Sequence, residues 1–147
     1  MSIFLNHARH NKEAFDYLHT AAPKFPDWTV TTAFYCAMHY CYAIIFPLTD
    51  ANGTYNNIEQ YHNSKGGVES KHKMTLILVR NLHPIIGEKY KLLKDVAHTS
   101  RYQDYNIPSP VVSQVKKCLK VIEDYCENIA NPPVATTPTP STTPSHP

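Results

Sequence analysis

The stretch from Pro26 to Phe46, PDWTVTTAFYCAMHYCYAIIF, constrains this chain most. Wound at about 3.6 residues per turn, it puts Trp28, Thr32, Tyr35, Met38, His39, Tyr42 and Ile45 on one face. Val30, Ala33, Ala37, Cys41 and Ile44 fall on another face that is just as apolar. A helix that is apolar around most of its circumference belongs in the middle of a bundle. The polar atoms it carries inward are few: the hydroxyls of Thr31, Thr32, Tyr35 and Tyr42 and the imidazole of His39. A site in this chain is expected to be lined in part by these groups. On the same phasing Trp28 is a core residue.

The rest of the chain supplies helices to surround this one. Ala8, Asn11, Phe15, Leu18 and Ala22 follow helical spacing after Asn6, a suitable cap, so a first helix is predicted over Asn6 to Ala22. Pro23 and Pro26 bracket the turn, and Pro47 stops the central helix. Asp50 to Gly67 contains three of the four glycines and four asparagines. It reads as a long loop, of the kind that is functional or mobile, with a short helical turn over Ile58 to His62. Ser70 is placed as the cap of a helix reaching His83. Pro84 and Gly87 interrupt the pattern, and the next helix is predicted from about Glu88 to Tyr102. Ser109 and Pro110 are placed as N-cap and first residue of a last helix ending near Ala130. No alternating strand pattern exceeds four residues. The fold class is therefore an all-α, antiparallel four- to five-helix bundle over residues 1–130.

From Asn131 the composition changes. Six of the last 17 residues are Pro and five are Thr, with no Lys, Arg, Asp or Glu among them. Such a segment buries too little apolar surface to offset its ordering entropy, so a disordered tail is expected over 131–147. Charge is unevenly spread: residues 1–64 carry three basic and five acidic side chains, residues 65–130 eleven and seven. The second half is thus mildly basic, consistent with a solvated helix face or a weak phosphate-binding face.

No apolar run is long enough for a membrane span, and the N-terminus lacks the basic and apolar regions of a signal peptide. The four cysteines have no CxxC spacing and read as buried thiols in a reducing compartment, so a cytoplasmic location is expected. Glu59-Gln-Tyr-His62 has the ExxH spacing of di-metal bundles. Such sites need a second copy and two further glutamates, so no metal and no cofactor are expected.

Three local patterns occur in order. Asp27-Trp28 is followed by Ala33-Phe34-Tyr35-Cys36-Ala37-Met38-His39; His72 lies near the start of a helix in KHKMTLILVRN; Tyr90 and Leu93 precede Ser100-Arg101-Tyr102. Together, over about residues 5–128, they resemble the HEPN superfamily of small helical-bundle proteins. That resemblance implies a bundle, commonly a homodimer, that binds nucleotide or RNA. Many members are metal-independent ribonucleases of toxin and antiviral systems, so a partner of toxin–antitoxin type is implied as well. The ribonucleases carry an Arg, a polar residue and then a His four to six residues on. Here Arg101 is followed by Tyr-Gln-Asp-Tyr-Asn-Ile, Arg80 has His83 too soon, and Arg9 has its next suitable His too far away at His19. Metal-free RNA cleavage needs a base, an acid and a cation around the phosphate. The resemblance therefore points to the non-catalytic, ligand-binding branch.

The candidate ligand-binding residues are Tyr35, His39, His72, Arg101 and Tyr102. For His39, a core histidine bonded to a neighbouring Tyr or carbonyl is weighed against a donor to a base or phosphate. For Arg101, an ion pair such as one with Asp104 is weighed against a phosphate fork, with Tyr102 as a stacking face. His72, between Lys71 and Lys73, is either a solvated surface group or part of an anion-binding cluster. Two other functions stay open: a divergent ribonuclease using His39 or His72 with Arg101 or Arg80, and a helical protein that only dimerises.

Overall fold

The computed structural model describes residues 2–21 and 24–132. Six α-helices and one short hairpin run in the order α1 (Ile3–Ala21), α2 (Pro26–Ile45), β1 (Leu48–Asp50), β2 (Gly53–Tyr55), α3 (Ile58–Ser64), α4 (Lys71–Leu82), α5 (Pro84–Tyr102) and α6 (Ser109–Ala130). Helix takes up 77% of this structure, so the chain is mostly helical, as its periodicity predicts. The tail expected to be disordered lies almost wholly outside the described residues.

The central position of α2 is set by its composition. It packs against α1, α4, α5 and α6, and twelve of its residues are buried, among them Val30, Ala33, Phe34, Ala37, Tyr40 and Cys41. The other long helices turn one apolar stripe each toward it: Leu5, Ala8 and Phe15 from α1, Leu78 and Val79 from α4, Ile86, Tyr90 and Leu93 from α5, and Val115, Leu119 and Ile122 from α6. Polar ties close the periphery. Arg9 of α1 grips Glu127 of α6 in bidentate fashion, at 3.0 Å and 2.9 Å.

The helix count exceeds the four to five expected because the predicted loop forms a helix of its own, α3. Within the predicted loop, Asn57 accepts a hydrogen bond from the Gln60 amide at 3.0 Å, and Gln60 Oε1 accepts from the Asn56 amide at 2.7 Å. This reciprocal cap stabilises seven residues of helix. Just before it, Leu48 pairs with Tyr55, Thr49 with Thr54 and Asp50 with Gly53, antiparallel strands too short to leave an alternating pattern. At the other break, Pro84 starts α5 rather than interrupting it, because the first turn of a helix needs no N–H from its proline. Gly87 is then helical and buried: a Cβ there would meet the Arg80 side chain at 3.0 Å, so glycine lets α4 and α5 approach.

Other boundaries also differ. The first helix begins at Ile3, so Asn6 is inside it rather than capping it. Pro108, not Ser109, is the N-cap residue of α6, and Ser109 is its first helical residue. Ser70 does cap α4, accepting from the Lys73 amide at 3.2 Å. The largest correction concerns Trp28, which is 59% exposed rather than in the core.

Candidate functional site

The Trp28 correction has a simple geometric cause. Thr29, Val30 and Thr31 are buried, while Trp28, Thr32, Tyr35 and His39 form the stripe of α2 that is least covered. These positions recur at helical spacing, so they lie on one face. At the start of α2 this stripe meets the end of α5, where the chain turns. Gln103 and Asp104 both donate their amides to Thr99 O, at 2.9 Å and 3.0 Å, ending the helix. Asp104 Oδ1 then accepts from the Asn106 amide at 2.8 Å, fixing the turn.

Between the two elements lies a cleft of about 500 Å³. Its floor is polar. Ser100 is buried, donates to Ala97 O at 2.9 Å and stands 3.5 Å from the Thr31 hydroxyl. Its rim is aromatic: Trp28, Tyr102 and Tyr105 all line it and all are exposed. Asp27 and Asp104 contribute carboxylates to the same walls.

Arg101 is the cation of the cleft. Its Nε donates to Ala97 O at 3.1 Å, and its Nη1 donates to the Tyr35 hydroxyl at 3.1 Å. The guanidinium lies over the rings of Tyr35 and Tyr102, 5.7 Å and 5.5 Å from their centroids. These contacts hold the fork in one orientation, and Nη2 has no hydrogen-bond partner among the described residues. The other two arginines each have a carboxylate, Arg9 with Glu127 and Arg80 with Glu88. Arg101 has none among the described residues, and the ion pair with Asp104 considered from sequence does not form.

The five predicted residues divide. Arg101 and Tyr102 line the cleft, and Tyr35 stands behind Arg101 as its hydrogen-bond acceptor. His72 packs edge-on against Phe34, with ring centroids 5.3 Å apart. Burial lowers its pKa, and the charges of Arg101 and Lys94 lower it further, which puts it in electrostatic reach of the cleft but not in its wall. His39 belongs elsewhere. It stacks on His7 at 5.0 Å and meets Tyr42 edge-on at 5.8 Å. Its Nδ1 is buried with no hydrogen-bond partner among the described residues, and burial followed by the His7 charge lowers its pKa. The expected grouping of His39 with Arg101 is therefore corrected: the residues that join Arg101 are Asp27, Trp28, Thr31, Ser100 and Tyr105.

Among the described residues no three His, Cys, Asp or Glu side chains converge to hold a metal ion. Glu59 is taken by Lys71, and His62 Nε2 contacts Glu69 O. No helix among them is long and apolar enough to cross a membrane.

The histidines make stability pH-dependent in a definite direction. His39, His72 and His83 all have pKa values lowered mainly by burial. Below the ordinary histidine value of about 6.5 the unfolded chain binds more protons than the folded one. Their contribution is complete above that pH and is lost as pH falls through the folded values. The melting temperature is expected to be lower at pH 5 than at pH 7, with a smaller drop in His72→Gln. Equal melting at both pH values would mean that these rings charge freely in the fold.

Comparison of the chain with protein-family models, with curated proteins and with solved structures gave no match.

Proposed function

We propose that this chain is a HEPN-like, antiparallel helical-bundle module that binds a nucleotide or RNA in the cleft between α2 and α5 without cleaving it. One observation carries this reading: Arg101, which has no carboxylate partner among the described residues, lines a cleft rimmed by three exposed aromatic rings. A guanidinium grips phosphate through paired N–H groups. Aromatic faces stack on bases whatever their sequence. Asp27 and Asp104 offer acceptors for base amino groups or ribose hydroxyls. Among the described residues no histidine lines the cleft, so the histidine that serves the ribonucleases of the resembled family has no counterpart there. The homodimer and the toxin–antitoxin-type partner belong to this reading through the family resemblance alone.

Trp28→Ala tests the stacking role. The side chain is mostly exposed, so the unfolding free energy is expected to change by no more than about 0.5 kcal/mol. Stacking is worth roughly 1–3 kcal/mol per base, and an open rim belongs at the lower end. Equilibrium dialysis with adenosine monophosphate should then give an affinity reduced about five- to tenfold. An unchanged affinity would remove Trp28 from the binding surface.

A further inference from the structure

Two carboxylates line the cleft, and they differ in what they have left to offer. Asp104 is exposed, and its Oδ1 already accepts from the Asn106 amide at 2.8 Å. Asp27, in the first turn of α2, is half-buried. Neither of its carboxylate oxygens has a hydrogen-bond or ion-pair partner among the described residues. An ionised carboxylate only accepts, so one that is partly withdrawn from water calls for N–H or O–H donors.

The rings differ in the same way. Tyr102 already carries the Arg101 guanidinium at 5.5 Å and the His98 ring at 5.0 Å. Trp28 is exposed and has no ring or cation neighbour among the described residues, so its face is open to a ligand. Asp27 and Trp28 are consecutive, with Cα atoms about 3.8 Å apart, and both line the cleft. A base stacked on Trp28 can thus turn an edge toward Asp27, with its phosphate toward Arg101 on the α5 side.

Base edges are not equal before a carboxylate. Guanine presents two adjacent donors, N1–H and the N2 amino group, one for each oxygen. Adenine and cytosine set an amino group beside a ring-nitrogen acceptor, which a carboxylate oxygen repels. Uracil sets one N–H between two carbonyls. Of these, guanine alone satisfies both oxygens at once.

We propose that Asp27 reads the guanine edge, so that the cleft selects guanine nucleotides over adenine nucleotides. This rests on the cleft reading and deepens it by naming the base. A bidentate pair discriminates between bases by roughly five- to a hundredfold. The open rim puts the value here at about tenfold.

The test is equilibrium dialysis of the full chain with guanosine, inosine and adenosine monophosphates, in the wild type and in Asp27→Asn. The wild type is expected to bind the guanosine form about tenfold tighter than the adenosine form. Inosine monophosphate lacks the N2 amino group and should lose most of that advantage. An asparagine side chain offers one acceptor and one donor, which suits the edge of adenine and not that of guanine. In Asp27→Asn the guanosine-to-adenosine affinity ratio should therefore fall to about one or reverse. The ratio is the readout because the monophosphates carry equal charge, so the loss of a carboxylate shifts both alike. Equal binding of the two by the wild type would overturn guanine selection and leave the cleft reading standing. Equal binding that weakens in the 2′-deoxy forms would place Asp27 on the ribose and overturn it as well. A guanine preference that survives in Asp27→Asn would overturn the assignment to Asp27. Failure of every monophosphate to bind the wild type would overturn the cleft reading and the base preference together.

Discussion

Phe34→Ala is expected to lower the unfolding free energy by about 3–5 kcal/mol, the usual cost of emptying a buried aromatic site. Phe34 is fully buried in α2, and its ring lies 5.3 Å from His72 of α4 and 5.9 Å from Tyr90 of α5. It therefore fills the junction of three helices. Two of these, α2 and α5, also build the cleft, so the loss falls on the frame that holds Arg101 beside Tyr35. Urea unfolding of the variant checks the value. A loss below about 1 kcal/mol would mean that the junction relaxes to fill the hole and that α4 is not fixed by this ring.

Arg101→Ala is expected to weaken binding of a phosphate-bearing ligand ten- to a hundredfold with little change in melting temperature. A charge-assisted hydrogen bond contributes about 1.5–3 kcal/mol, which corresponds to that range of affinity. Its present partners are neutral, a backbone carbonyl and the Tyr35 hydroxyl. Removing the guanidinium strands no buried carboxylate, so the heavy penalty of a broken buried ion pair does not arise. Arg101→Lys should recover little affinity, because an ammonium cannot copy the fork that the two existing hydrogen bonds orient. A collapsed melting temperature with unchanged affinity would make Arg101 a structural strut.

Much of the frame was legible because it rests on local rules. Ser70 caps α4, Pro47 follows the central helix, and the all-round apolar composition of α2 places it among four others. Arg101 and Tyr102 were legible too, since a basic and an aromatic side chain stand together where the chain breaks. Trp28 was not. Periodicity places it on the stripe with Tyr42, which is buried, but stops short of saying where the covering helices end. A first-turn residue projects past its neighbours, and that is a tertiary fact. His39 was misplaced for the opposite reason. It shares the stripe of Tyr35, yet one further turn along α2 brings it under α1 and beside His7 rather than toward α5. Pro84 reads as a break in any linear pattern, although at a helix start it is a neutral choice.

Trp28 is the chain's one tryptophan and stands on the rim of the cleft, so its emission reports on the cleft alone. The decisive measurement is a titration of that emission with adenosine monophosphate in the wild-type protein and in Arg101→Ala. A stacked base and a gripped phosphate predict saturable quenching, with the curve of the variant displaced ten- to a hundredfold to higher concentration. No change in emission up to about 10 mM, weaker than about 3 kcal/mol of binding, in a protein whose helical circular dichroism is intact, would contradict the account.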